Sequence, residues 1–328
     1  MEAMMARKII LDVDTGSDDA VAIMMALLSN DIDVIGICSV AGNQPIENTT
    51  ENTLRVVQAL GKKVPVYRGA REPLVKSMFP ERFIKGAKIV NDRIYDADGK
   101  EIKIHRDYLD LPKATIQEES ICAAEFYLQY LRNAKEKVTL VLVGPLTNLA
   151  LALMMDARIV SNIEEILIMG GGHHITNSTS AAEFNIWYDP EAAYKVINCG
   201  AKVTLVPLDA THEACVTEED CKALEQLGTL AGKFACELCR QRILIHNAMQ
   251  PLDIPDAAAV HDALCIAYLI DPSVLSDIEH VHVDIGFYHR AEGQTIIDQR
   301  YYTEDKNCYF AYHADRHKFV KLLMDTFR

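Results

Sequence analysis

The stretch Ile9-Ile10-Leu11-Asp12-Val13-Asp14-Thr15-Gly16-Ser17-Asp18-Asp19-Ala20 changes character twice. An apolar run of strand length ends in a loop with four carboxylates, and a second apolar run, Ala20 to Leu28, follows with helical length. A buried strand that empties into an acidic loop and then a helix opens a βαβ unit. It sets those oxygens at the carboxyl edge of a sheet, where open α/β proteins hold their ligands. Carboxylates crowded to this degree raise one another's pKa unless a cation or tight hydrogen bonding keeps them ionised. A hard divalent ion, Ca2+ or Mg2+, meets that need. Helix capping is the competing account, since Asp18 and Asp19 suit a helix start. Capping needs one carboxylate, however, and leaves the others unexplained.

The same alternation continues outward from this loop. Strands are expected at Arg7 to Leu11, Val34 to Val40, Val64 to Tyr67, Val138 to Val143, Ile163 to Met169 and Lys202 to Leu208, with helices between them. Gly61 stops the helix Asn48 to Leu60, and Asp189-Pro190 caps and opens another. Thr217-x-x-Asp220 reads as a capping box, and a long helix runs from about Leu230 to Ile245. His261-Asp262 opens the helix Ala263 to Ile270, His280 to His313 alternates as antiparallel strands do, and Asp315 to Phe327 closes the chain as a helix. The expected fold is α/β: an open, mostly parallel Rossmann-like sheet with helices on both faces, plus a C-terminal antiparallel extension. Without repeats, low-complexity tracts or Pro/Ser linkers, residues 1–328 read as one domain. Residues 71–113 break the pattern and read as a flap or insertion.

Composition narrows the partners. With 328 residues the chain can bury a large core, and its net charge of -14 argues against a nucleic-acid or anionic-membrane surface. No stretch reaches the ~18 consecutive apolar residues of a membrane span. The N-terminus lacks the apolar core of a signal peptide, and nine dispersed cysteines read as reduced thiols. A cytoplasmic protein acting on small polar molecules is expected. Cys236-x-x-Cys239 has no second such pair to complete a zinc site and reads as helix packing. Gly170-Gly171-Gly172 lacks the Lys-Ser/Thr of a P-loop and reads as a close backbone approach to a ligand.

The polar clusters all follow strands or open helices. Asp14, Asp18 and Asp19 follow the first strand, Asn43 the second, Val143-Gly144 the fourth, and Met169 to Asn185 the fifth. In a doubly wound sheet these ends converge on one crevice. Together with Asn177, Glu183, His261 and Asp262 they supply oxygen ligands for a cation, hydrogen-bond partners for several hydroxyls and one imidazole.

Asp12-Val13-Asp14-Thr15-Gly16-Ser17-Asp18-Asp19 resembles the N-terminal signature of the inosine-uridine-preferring nucleoside hydrolases. Five further motifs stand in that family's order: Ala41-Gly42-Asn43, Gly144-Pro145-Leu146-Thr147-Asn148, Met169-Gly170-Gly171, Ala182-Glu183-Phe184-Asn185 with Asp189-Pro190-Glu191-Ala192-Ala193, and His261-Asp262-Ala263-Leu264. The resemblance implies hydrolysis of the N-glycosidic bond of ribonucleosides to ribose and free base. It implies a Ca2+ ion held by Asp14, Asp19, Asp262 and the main-chain carbonyl of Val143, where the family usually has Thr. It directs Asp18, Asn43, Asn177, Glu183 and Asn185 to the ribose, packs Met169 against the sugar, and makes His261 the acid that protonates the leaving base. It further implies a homodimer or homotetramer.

These residue types suit that chemistry. Cleavage passes through an oxocarbenium-like transition state that carboxylates stabilise. A bound cation orients the ribose diol and acidifies a water, whose proton Asp14 takes. The base half diverges, because the family often carries a His-Gly-x-x-Gly segment where this chain reads Phe83-Ile84-Lys85-Gly86-Ala87-Lys88-Ile89-Val90-Asn91-Asp92. Near Arg240 to Pro255 the polar base-side candidates are Arg242, His246 and Asn247. Two other readings compete. A ribose- or nucleoside-binding protein would keep the sugar pocket without turnover, and a haloacid-dehalogenase-like Mg2+ phosphatase would use Asp12-x-Asp14 on phosphorus.

Overall fold

The structure, a computed structural model, describes residues 6–83, 94, 95, 99, 101–300 and 304–328. Its first half runs β1 (Arg7–Val13), α1 (Ser17–Leu28), β2 (Ile32–Ser39), α2 (Ile46–Ala59) and β3 (Val66–Arg68), then a short hairpin of β4 (Ile94–Tyr95) and β5 (Glu101–Ile102). There follow α3 (Ala123–Asn133), β6 (Val138–Leu142), α4 (Thr147–Met155), β7 (Ile163–Met169), α5 (Phe184–Tyr188), α6 (Pro190–Ile197) and β8 (Val203–Val206). The last part contains α7 (Leu208–Glu213), β9 (Cys215–Thr217), α8 (Glu218–Gln226), α9 (Leu230–Met249), β10 (Ala257–Ala259) and α10 (His261–Ile270). It ends with β11 (Leu275–Ile285), β12 (Thr295–Asp298), β13 (Cys308–Ala314) and α11 (Arg316–Phe327).

The main sheet has the order β12-β11-β13-β8-β7-β6-β1-β2-β3. All pairs from β3 to β13 are parallel, and β11 pairs antiparallel with both β13 and β12. The antiparallel extension expected from the sequence is therefore continuous with the parallel sheet, and β13 joins it by running parallel to β8. From β1 the chain moves outward through β2 to β3, then returns and moves the other way through β6, β7 and β8. The reversal falls between β1 and β6, and a topological switch point of this kind opens a crevice at the carboxyl ends of its two strands.

Strand parity decides which side chain goes where. Ile9, Leu11 and Val13 of β1 enter the core on the face covered by α1, α9 and α10, and Ile10 enters the opposite core with α3, α4 and α6. Each fully buried aliphatic side chain contributes about 1.5–3 kcal/mol. Cys236 and Cys239 are buried in α9, in the first core, as helix-packing residues. Asp189 accepts from the Ala192 N–H at 3.1 Å with Pro190 at the first turn, and Thr217 with Asp220 forms the reciprocal box at α8.

Two stretches differ from the sequence reading. The strand expected to reach Leu208 ends at Val206, because Pro207 supplies no donor to the ladder and α7 begins at once. Between α9 and His261, a stretch for which the sequence reading gave no strand, β10 pairs antiparallel with β9.

Both ends of the 71–113 stretch are tied down near the switch point. At the front, the Leu74 N–H donates to Asp189, and buried Lys76 donates to the Trp187 carbonyl with its ammonium 3.5 Å from that indole ring. At the back, Gln44 donates to the carbonyl of His105, and Asn52 accepts from the Leu109 N–H. The divergent segment 83–92 lies outside the described residues beyond Phe83.

Candidate active site at the switch point

The four acidic residues after β1 separate by geometry. Asp12 shares the parity of Ile10, so its carboxylate faces α3 and α4, where Tyr127 Oη donates at 2.9 Å and Asn148 Nδ2 at 3.1 Å to each oxygen. Burial outweighs these bonds and pushes Asp12 up to about 7. Asp14 and Asp19 lie together beyond the strand end. Asp14 Oδ2 accepts from the Asn43 N–H at 2.6 Å, and Asp19 accepts from the Asp14 and Gly16 N–H groups at 3.0 and 2.9 Å. The Asn43 side chain also donates to Asp19, at 3.3 Å.

Burial, then neighbouring carboxylates, drive the protonation behaviour of this group. Asp14 is held well above the ordinary carboxylate range by burial and then by the charge of Asp19. Asp19 rises to about 7 through burial and Asp18, and Asp262 rises through burial and the charges of Asp18, Asp19 and Asp14. Among the described residues, one oxygen each from Asp18, Asp19 and Asp262 lie within 4.8 Å of one another, and all three side chains are buried. Asp262 comes from the first turn of α10, more than two hundred residues away in sequence.

This donor set fits a hard divalent ion. It is all oxygen, it is desolvated, and its Asp19 and Asp262 carboxylates are destabilised as anions unless a positive charge is supplied. Among the three, Asp18 stands where the sequence reading placed Asp14, and Asp14 sits beside the group, in electrostatic contact with both Asp19 and Asp262.

Of the residues that the sequence reading directed to the ribose, Asn185 and Glu183 meet at the ends of β6 and β7. Asn185 Nδ2 donates to the Val143 carbonyl at 2.9 Å and the Met169 carbonyl at 3.1 Å, bridging the two strand ends. Glu183 caps α5: it accepts from the Gly171, Asn185 and Ile186 N–H groups, and burial lifts it to about 7. Met169 is buried at the end of β7. Asn177 is exposed in the loop that follows, where its N–H donates to the Ala182 carbonyl, and no contact among the described residues joins its side chain to the carboxylates.

The imidazole side holds more than the sequence reading found. His261 is buried, with Nδ1 2.7 Å from Thr211 Oγ1, and its ring stands 5.7 Å from that of His212 and 6.0 Å from that of His246. Burial is the main reason all three are hard to protonate, with Arg242 adding to it; His212 and His246 fall to about 4, and His261 is held well below the ordinary histidine range. His212 Nε2 is buried with no protein partner among the described residues. His105 also belongs to this corner, since a Cβ on Gly16 would lie 3.1 Å from its Nδ1. Of the base-side candidates, Arg242 and His246 turn inward and Asn247 pairs with Asp256. Thr211 and His212, just past the strand expected to end at Leu208, escaped the sequence reading. The signal was present, since Asp209-Ala210-Thr211-His212 is another polar group directly after a strand.

Residues 9–321 match the profile of the family described as inosine-uridine preferring nucleoside hydrolase. The chain belongs to this family. It is 36% identical over 328 residues to the pyrimidine-specific ribonucleoside hydrolase RihA of Escherichia coli K12, covering 99% of each chain. Among solved structures it resembles a plant nucleoside hydrolase, with a TM-score of 0.82 and 26% identity, and the purine-preferring ribonucleoside hydrolase of Gardnerella vaginalis, with 0.82 and 29%; each comparison covers 98% of both chains. Nucleoside hydrolases of this family are metal-dependent and act on N-glycosyl bonds, so the acidic cluster and a nucleoside substrate belong together. Membership sets aside the phosphatase reading of Asp12-x-Asp14. Among the described residues no helix is long and apolar enough to cross a membrane.

Proposed function

We propose that this protein is a Ca2+-dependent ribonucleoside hydrolase that releases ribose and free base, with pyrimidine ribonucleosides as the first substrates to try. The observation that carries this reading is the meeting of Asp18 and Asp19, in the first turn of α1, with Asp262 of α10, beside the strand ends bridged by Asn185. The RihA relatives support the pyrimidine choice. The same reading takes the whole chain as one hydrolase domain with a flap at 71–113, working in the cytoplasm as a homodimer or homotetramer.

Asp14, Asp19, Asp262 and the Val143 carbonyl would hold the Ca2+. That carbonyl has a second lone pair beyond the one Asn185 uses. When bound, the ion supplies Lewis acidity and a template for the ribose diol. Asp14, at the end of β1 beside the cluster, would accept a proton from the attacking water. Asp18, Asn43, Glu183, Asn185 and Asn177 hold the ribose hydroxyls, with Met169 against the sugar. The carboxylates stabilise the positive charge that builds on the ring as the glycosidic bond stretches. His261 is neutral in its buried site. A Thr211 hydroxyl that donates to Nδ1 leaves the hydrogen on His261 Nε2, from which it can donate a hydrogen bond to the departing base.

Ribose release from uridine, cytidine, inosine and adenosine, measured as reducing sugar on chelator-treated and Ca2+-reloaded protein, tests this reading. Ca2+-dependent release, fastest on the pyrimidines, is expected. Release from no nucleoside at any Ca2+ level defeats it.

A further inference from the structure

Arg242 is a buried cation beside a cluster of buried carboxylates. It projects from α9 and is only 9% exposed. Its Nη1 donates to Asp18 Oδ1 at 3.0 Å and to Ser17 Oγ at 3.2 Å, and its Nε donates to the Ala259 carbonyl at 2.8 Å. One guanidinium thus joins three separated pieces of chain: α9, the first turn of α1, and β10. Since β10 leads through Val260 into His261 and Asp262, the same side chain sets the first turn of α1 against the start of α10. A planar fork suits this bridging, and a lysine ammonium does not reproduce it.

The position raises a problem of allocation. Asp18 lies close enough to Asp19 and Asp262 to offer an oxygen to the same cation, yet the proposed chemistry needs it for the sugar. Nothing in the carboxylate chemistry distinguishes it from its neighbours. The guanidinium does, because among the described ion pairs it is Asp18 alone of the three that carries a cationic partner. Half of that carboxylate is engaged by a donor on the α9 side, and its charge is balanced before any metal arrives.

We propose that Arg242 is a positioning residue that withholds Asp18 from the cation site and commits its carboxylate to the ribose. The inference rests on the proposed hydrolase reading for the sugar half and on the acidic cluster alone for the metal half. Removing the guanidinium therefore has opposite effects on the two halves. Asp18 is freed to close on the cation, which tightens metal binding, while the sugar loses its partner and catalysis falls. A residue that merely braced the fold would lower both together.

The test uses full-length protein stripped with chelator, Ca2+ titration calorimetry, and ribose release kinetics. Arg242→Met is expected to bind Ca2+ about tenfold more tightly than the parent, as removal of a nearby positive charge requires. Its kcat/KM on ribonucleosides is expected to fall roughly a hundredfold. Arg242→Lys keeps the charge, so it should retain the parent's Ca2+ affinity with intermediate kcat/KM. Asp18→Asn/Arg242→Met should lose the gain in Ca2+ affinity. Weaker Ca2+ binding by Arg242→Met, or unchanged kcat/KM, overturns the proposal. If Arg242→Met does not fold, Arg242→Lys decides: parental Ca2+ affinity with reduced kcat/KM is expected, and a fall in both together overturns the proposal. Should the parent protein release no ribose at all, the hydrolase reading fails by itself, and the calcium arm still judges Arg242.

Discussion

The Thr211 hydroxyl and Nδ1 of His261 lie 2.7 Å apart in a buried corner, the one hydroxyl from α7 and the other ring from the start of α10. A hydroxyl that donates there leaves the hydrogen on Nε2, and the tautomer decides whether Nε2 can donate to a leaving base. Thr211→Val keeps the shape and removes the hydroxyl. It should slow hydrolysis of uridine roughly tenfold and leave p-nitrophenyl riboside nearly unchanged, because an activated leaving group needs no proton. His261→Ala should show the same selectivity with a larger loss, about a hundredfold or more. Equal losses on both substrates in steady-state assays would make the pair structural.

Gly42 touches the heart of the acidic loop. A Cβ at that position would stand 2.1 Å from Asp14 Oδ2 and 2.9 Å from the Pro145 ring, so a methyl group cannot enter without displacing Asp14. Gly42→Ala should cost about 1–3 kcal/mol of stability by urea titration. Its Ca2+ affinity should fall as well. A variant with parental affinity and activity would show that Asp14 has slack the packing does not suggest.

The metal-free protein should dislike alkali. Asp12, Asp19 and Glu183 have folded pKa values raised to about 7, so the native state binds more protons than the unfolded chain. Their contribution is fully present below the unfolded carboxylate range and is lost as pH rises through about 7. Ca2+ replaces the lost protons at the cluster. The rise in melting temperature on adding Ca2+ should therefore be larger at pH 8 than at pH 6; a shift independent of pH would contradict the buried, proton-loaded cluster.

The histidine corner has the opposite sign. His212 and His246 are lowered to about 4, so the unfolded chain binds more protons between that value and the ordinary histidine pKa near 6.5. Stability from these two residues is present above about 6.5 and drains away as pH falls toward 4. His212→Gln/His246→Gln should consequently lose less stability than the parent between pH 6.5 and pH 4.5, measured by urea midpoint with Ca2+ absent. Parallel losses would mean the imidazoles are protonated in the folded protein.

Local pattern alone determined much of this protein. The alternation of apolar runs with acidic or glycine-rich turns announced a parallel sheet, and six motifs in order announced the family, because both are encoded in contiguous residues. Asp12-Val13-Asp14 even carried its own division of labour: strand parity sends Asp12 toward Tyr127 and Asn148, and the residues past the strand end toward the crevice. Only the tertiary structure decided what meets across long separations. It brought Asp262 to Asp19, Thr211 to His261, and Arg242 to Asp18, each pairing made by helices that pack on one face of the sheet from distant parts of the chain. Periodicity records which face of an element is buried. Which partner waits there depends on the order of strands in the sheet, and that order is settled by the packing of the whole core.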